Sequence, residues 1–418
     1  MLSEYKFDIL DSLDFDSDEE LPHFGNCPKC DNEYNAPAWC DACDQKELVD
    51  KFDKWSTGND NINLLIQESQ RLAPDYYNYL EFIPYNHFVD IERIAEGGFG
   101  VVYKATWLDG IRKAKKEDNG IWIKTRSEPC TVALKEIEES KNIDQDYINE
   151  LKANIEFHRS DIWMVCRYYG ISQNPKSMNF ILVMEYLPKG DIKNVLFNKG
   201  KDRLKWHKKI QYLYFICNGL RGIHMLDYVH GDIHGGNILI KYTSDICITD
   251  LGLSRPANSK ETTLLGYDSK SKTSGLNVPH AAPELLLDDP KSKESDIYAI
   301  GILMTEFASH NRAFENYNTN DLRIEIFKGI RPKFPLETPK CYVELMEKCL
   351  DEDPKKRPTA EELVKTISGW LKLDWKSKSN PFNIADKQWN KSKKNHRYSL
   401  FCMLHKNIFS INNKKKNL

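Results

Sequence analysis

Lys135, Glu150, Asp232, Asn237 and Asp250 are the residues whose types and order could move a phosphoryl group. Asp250 ends the apolar run "ICITD", and Asp232 and Asn237 flank a glycine-rich loop, "GDIHGGN". Two carboxylates and an amide at strand ends suit Mg2+ (or Mn2+), hard cations that prefer oxygen ligands. The set still leaves one carboxylate free to orient an attacking hydroxyl. Lys135 stands in "TVALKEI", where alternation sets Val132 and Leu134 on one face and Ala133 and Lys135 on the other. If that second face lines a cleft, the ammonium meets nucleotide phosphates and needs a carboxylate to hold it when no ligand is bound. Glu150, in "YINELKANI", is the best candidate; Glu156, six residues on, falls on a different helical face.

Upstream, "IAEGGFGVVYKA" sets Gly97, Gly98 and Gly100 between two strands. Without Cβ atoms the backbone can approach a polyphosphate and aim N–H groups at its oxygens. A strand follows rather than a helix, so this is not a dinucleotide-binding turn. Alone, "GDIHG" also fits the opening motif of metallophosphoesterases, in which an Asp and a His hold a metal that activates water. That chemistry needs downstream motifs of the GD-x-x-DRG and GNH type. None follows residue 236, and a helix rather than a strand precedes the loop.

A second constellation lies near the N-terminus. In "CPKCDNEYNAPAWCDAC" two CxxC turns present Cys27, Cys30, Cys40 and Cys43, four sulfurs that can surround one Zn2+ tetrahedrally. So short a segment cannot build a core, and a metal would stand in for one. Four cysteines leave no open coordination position, so the ion is expected to be structural. The other seven cysteines are scattered singly in apolar surroundings and read as small core residues.

The elements that must position these groups follow from composition and periodicity. With 418 residues, 40% hydrophobic and 29% charged, the chain can hold one large domain with appendages. Residues 1–20 carry eight acids and one Lys, and residues 376–418 carry eleven Lys or Arg and one acid, Asp386. We expect an acidic, disordered stretch at 1–26, a zinc module at 27–43, a helical linker at 44–87, a main domain at 88–371 and a basic, disordered tail at 372–418. Ile62, Leu65, Ile66 and Leu72 carry the linker's helical spacing. Short β-branched runs dominate from Phe88, including "IWIK" and "FILVMEYL", and predict a mainly antiparallel sheet. Beyond Gly190 the pattern is helical: Ile210, Leu213, Cys217 and Leu220 form one stripe, and "ESDIYAIGILMTEFA" is apolar nearly all round. The expectation is an α+β chain with a β-rich lobe, a hinge near 185–190, an α-rich lobe and a cleft between. No apolar run reaches 18 residues and no basic, apolar leader opens the chain, which reads as a cytoplasmic protein with nuclear entry open, no transmembrane segment and no specific nucleic-acid binding.

With these landmarks in order, residues 88–371 resemble a eukaryotic protein kinase of the tyrosine-kinase-like group. "AEGGFGVV" resembles the glycine-rich loop, "VALK" the strand lysine, Glu150 the helix glutamate and "MEYL" a gatekeeper Met184 with hinge residues Glu185, Tyr186 and Leu187. "HGDIHGGN" is similar to the catalytic loop, "DLG" to the DFG triplet and "AAPE" to the APE triplet. Asp296 resembles the buried aspartate of the central helix, and Arg357 the partner of Glu284. With the CxxC head, the chain also resembles kinase families expanded in arbuscular mycorrhizal fungi. The resemblance implies a bilobal fold and Mg-ATP in the cleft. Ala95, Gly97, Gly98, Gly100, Val102, Ala133, Lys135, Met184, Glu185, Leu187 and Leu239 would line the ATP site. It further implies Lys135 on the phosphates, Asn237 and Asp250 on Mg2+, and Asp232 as proton acceptor. A protein hydroxyl, Ser/Thr by group resemblance, would be the acceptor, and the zinc module would meet a protein partner. Four departures stand out: Ala95 for the first loop glycine, Gly231 for the arginine before the catalytic Asp, His234 for the catalytic-loop lysine and Leu251 for the DFG Phe. Ser254, Thr262, Thr263, Tyr267 and Thr273 are candidate phosphosites between Asp250 and Glu284.

Overall fold

The structure is a computed structural model; it describes residues 23–97, 100–137, 145–160, 162, 164–198, 203–241, 245–251, 255–256 and 277–391. Residues 1–22, Gly98, the candidate phosphosites, the chain after 391 and the side chain of Glu150 lie outside the described residues.

The four-cysteine segment runs through a π turn (Asp41–Gln45) into α1 (Lys46–Val49) and α2 (Asp60–Arg71). The first lobe follows as β1 (Glu81–Phe82), β2 (Phe88–Gly97), β3 (Gly100–Trp107), β4 (Arg112–Lys116), β5 (Trp122–Arg126), β6 (Cys130–Glu136), α3 (Gln145–Arg159), β7 (Tyr168–Gln173) and β8 (Phe180–Glu185). Six of these strands form one sheet in the order β1-β7-β8-β6-β3-β2, antiparallel apart from β1 beside β7. Alternation separates the faces of β6 as its sequence requires. Val132 and Leu134 pack with Trp107 and Tyr169, while Ala133 packs with Met184 and Leu187 beneath α3.

The "IWIK" run departs from expectation. It lies in β5, which pairs only with β4 as a separate hairpin. The chain leaves the sheet at Gly110, whose φ of 70° and closeness to Ser127 O exclude a side chain. The hairpin then leans on the N-terminal segment. Arg112 and Arg126 both reach Glu81, at 3.2 and 2.7 Å, Arg112 lies over the Tyr79 ring, and Trp122 meets Phe24 edge-on.

The linker is helical in part. Asn59 caps α2 by accepting from Asn61 N and Ile62 N, and Ile62, Leu65 and Ile66 are buried in one cluster with Ile148 and Leu151 of α3. Leu72 does not join them. It sits at the helix end, 45% exposed, because the chain turns away there.

The second lobe holds α4 (Ile192–Phe197), α5 (Trp206–Met225), β9 (Tyr228–Val229), β10 (Ile238–Ile240), β11 (Ile246–Ile248), β12 (Arg255–Pro256), α6 (Lys293–Ser309), α7 (Thr319–Phe327), α8 (Lys340–Cys349), α9 (Ala360–Leu371) and α10 (Pro381–Lys391). The α5 stripe, Ile210, Leu213, Cys217 and Leu220, is fully buried. A reciprocal Ser292–Ser295 cap starts α6, which is buried from Ser295 to Ser309. Arg357 grips Glu284 through both guanidinium nitrogens, at 2.6 and 2.8 Å, and ties the segment before α6 to the start of α9.

The stretch 372–418, expected to be disordered, is corrected in part: α10 folds back onto the lobe. Phe382 is fully buried among Trp206, Trp370 and Trp375, with ring centroids 5.5–5.6 Å apart, and Asp386 accepts from Trp206 N. Burying one such ring contributes roughly 1.5–3 kcal/mol toward holding α10 on the lobe. Among the described residues no helix is long and apolar enough to cross a membrane.

Candidate active site

The glycine-rich loop between β9 and β10 hangs from a buried carboxylate. Asp296, 2% exposed, accepts from His230 N and Gly231 N at 2.8 Å each and from His224 Nε2 at 3.0 Å. Gly231 turns the loop at φ 78°, a left-handed conformation that glycine adopts without strain. Asp232 is thereby presented at the loop tip, and Asn237 Nδ2 ties it from behind through its carbonyl (2.9 Å) and Oδ2 (3.1 Å).

The β10–β11 hairpin brings the next acid to this loop. Ile238 pairs with Ile248, so Thr249 N donates to Asn237 O at 2.9 Å and Asp250 follows directly. Asp250 has φ 65°, a left-handed conformation that Asp tolerates better than most residues. Its Oδ1 lies 2.9 Å from Lys135 Nζ, an ion pair across the two lobes. The expected pairing of Lys135 with Glu150 falls outside the described side chains, although α3 carries the Glu150 backbone. Glu156 pairs instead with Arg159 on its own helix, at 3.7 Å.

His234 occupies the position where the sequence lacks a lysine, and the loop fixes its orientation. Gly236 N donates to His234 Nδ1 at 3.0 Å, and a Cβ on Gly236 would lie 2.8 Å from the ring, so a side chain there would push the ring from this place. With Nδ1 accepting, the neutral ring carries its proton on Nε2, which lies 3.5 Å from Asp232 Oδ2. Burial pushes the Asp232 carboxyl up, but the hydrogen bond from His234 and the positive charge around it, that of Lys291 included, hold the group below the usual carboxylate range. His280 stands 5.9 Å from His234, ring to ring, and its Nε2 lies 3.4 Å from Glu306. Nothing in the sequence reading marked His280; its place three residues before the "PE" of "HAAPE" was the available signal.

Above this loop an apolar slot closes. Ala133, Met184 and Leu187 are buried in one cluster, and Val102 and Leu239 pack against it from opposite lobes. Ala95 pairs with Val102 and Gly97 with Gly100 at the strand turn. Gly100 has φ 120°, and a Cβ would come within 2.1 Å of Glu136 O, so a side chain is excluded. Glu185 is not free in the slot: its carboxylate pairs with Lys241 at 3.0 Å, and its N–H goes to Arg167 O. Leu251 is fully buried in the second lobe's core.

The four N-terminal thiols converge, with all four sulfurs within 4.8 Å of one another and Cys30 Sγ 3.6 Å from Cys40 Sγ. A tetrahedral ion with Zn–S bonds of about 2.3 Å sets sulfurs about 3.8 Å apart, so the donor set fits Zn2+. Cys27 and Cys40 are buried, and hydrogen bonding with Cys30 pushes the Cys43 thiol up to about 12.

The chain belongs to the protein tyrosine and serine/threonine kinase family, which matches residues 89–367. Its similarity to individual members is lower. It is 27% identical over 280 residues to a serine/threonine-protein kinase/receptor of Acanthamoeba polyphaga mimivirus, covering 65% of this chain and 15% of that protein. It is 25% identical over 311 residues to the serine/threonine-protein kinase drkC of Dictyostelium discoideum, covering 72% and 37%. It is 26% identical over 279 residues to the human tyrosine-protein kinase TXK, covering 66% and 47%. The chain thus spans less than half the length of each of these relatives. The family implies ATP and a divalent metal.

Proposed function

We propose that this chain is an active protein kinase that transfers the γ-phosphoryl group of Mg-ATP to a Ser or Thr hydroxyl of a protein, in signalling. The observation that carries this reading is the set of contacts that joins Lys135 to Asp250 at 2.9 Å across the lobes and Asn237 to Asp232 at 2.9 and 3.1 Å. Ala133, Val102, Met184, Leu187 and Leu239 take the adenine, and Gly97 and Gly100 lie over the phosphates. Lys135 positions the phosphates; Asn237 and Asp250 hold Mg2+, which when bound neutralises phosphate charge. Asp232 orients the acceptor hydroxyl and takes its proton as the new O–P bond forms and ADP departs with the broken one. In such a transfer the protein contributes chiefly position and charge. The Ser/Thr assignment rests on the names of the Dictyostelium and viral relatives, which are serine/threonine-protein kinases, whereas the human relative is a tyrosine-protein kinase. In the four-cysteine module we propose one structural Zn2+.

The departures at Ala95, Gly231 and His234 favour a second reading, an ATP-binding pseudokinase. The test is radiolabel transfer from ATP by the full chain, beside Asp232→Asn and Asp250→Asn. Transfer far above both variants, with label on Ser or Thr after acid hydrolysis, supports the kinase. Mg-ATP binding with no more transfer than the variants supports the pseudokinase.

A further inference from the structure

Beside Asp232 a groove of about 620 Å³ runs between α4 and the segment after α6, with His234, Gly235, Asn277 and His280 along its base. Each of its two walls carries a cation. Lys193 is exposed on α4 and leans over the loop; its Nζ would lie 3.9 Å from a Cβ on Gly236, and its Cβ is 3.3 Å from that of a residue replacing Gly235. Phe197, one helical turn further, shares that face, and the exposed Arg312 from the opposite wall lies over its ring at 5.6 Å. Lys193 and Arg312 therefore stand on facing walls of the groove, and neither has an ion-pair partner among the described residues.

The acids of the groove do not offset them equally. Glu306 is buried and already engaged, accepting from Ala313 N at 3.0 Å and facing His280 Nε2. Glu315 is exposed at the rim. The imidazoles of His234, His280 and His310 complete the lining. Two flexible cations above a loop of two glycines leave room and charge for an anionic side chain close to the acceptor hydroxyl.

We propose that this groove selects protein segments with acidic side chains flanking the acceptor Ser or Thr, and that Lys193 and Arg312 determine that selectivity. This deepens the kinase reading and rests on it for the identity of the acceptor. The test is binding, so it reads out without catalysis. Two fluorescent peptides with a central Ser, one flanked on both sides by Glu and the other by Arg, are titrated at low salt with the full chain. The expected result is about tenfold tighter binding of the Glu peptide, as two ion pairs at partly exposed positions supply. The preference shrinks with salt, halves or more in Lys193→Ala and reverses in Lys193→Glu/Arg312→Glu, both of which keep the wild-type melting temperature because the residues are on the surface. Asp232→Asn retains it, which separates selectivity from transfer. Equal binding of the two peptides, tighter binding of the Arg peptide, or a preference unchanged in the double variant would overturn the proposal.

Discussion

Lys135 Nζ and Asp250 Oδ1 lie 2.9 Å apart, joining two residues 115 positions distant in sequence and drawn from different lobes. Both side chains are largely buried, 9% and 20% exposed, so removing one leaves the other poorly solvated. Lys135→Met is expected to reduce phosphoryl transfer at least a hundredfold, the scale of a lost charge clamp. Asp250→Asn is expected to abolish transfer at every Mg2+ concentration while nucleotide binding without metal persists. Steady-state transfer across a Mg2+ titration checks both.

The orientation of His234 gives an ordered series. Its Nδ1 accepts from Gly236 N and its Nε2 faces Asp232, so Gln mimics the outer nitrogen and Asn the inner one. His234→Gln is expected to retain more activity than His234→Asn, and His234→Ala to lose about tenfold to a hundredfold in kcat, the scale of one hydrogen bond made in the transition state. Gly236→Ala should behave like His234→Ala, because its methyl would strike the ring. Comparing kcat for the four variants at saturating ATP checks the order.

His158 supplies a pH dependence of stability. Burial, and after it the charge of Arg167, push its imidazole down to about 3 from 6.5, and Nε2 lies 3.2 Å from Cys166 O. Between those values the unfolded chain binds a proton that the folded chain does not. Stability is therefore full above about pH 6.5 and falls with pH, by at most roughly 1.4 kcal/mol per unit. Burial shifts His230 and His310 the same way. His158→Gln should flatten the fall in melting temperature between pH 6.5 and 5 without removing it, as melting scans would record.

The thiol cluster predicts one Zn2+ per chain. Cys40→Ser is expected to remove it and to loosen the buried Trp39–Tyr79 contact beside it, whose rings are 6.1 Å apart. Elemental analysis should give close to one zinc for the wild type and close to none for the variant. A chelator should lower the melting temperature of the wild type by several degrees and leave the variant unmoved.

The lobes and the candidate site's residues were legible because each announces itself locally. Alternation marks β6, the stripe marks α5, and Asp232, Asn237 and Asp250 sit at the ends of short apolar runs. The state of His234 was not legible, since it depends on a backbone N–H two residues away and on the fold of the loop. The hairpin β4–β5 read as strand but not as a separate unit, because pairing partners are decided by the turn at Gly110 and by arginines meeting Glu81 far upstream. In α10, Phe382, Ala385 and Trp389 keep helical spacing, yet the density of lysines concealed a face that matters only once Trp206 and Trp370 are in place.

That last helix separates two things usually taken together. The family match runs to residue 367, whereas the aromatic core continues to Phe382, and the half-buried Trp389 lies beneath Arg203. What the family match spans is therefore smaller than what packs here as one body, since α10 seals the end of the helical lobe beyond it.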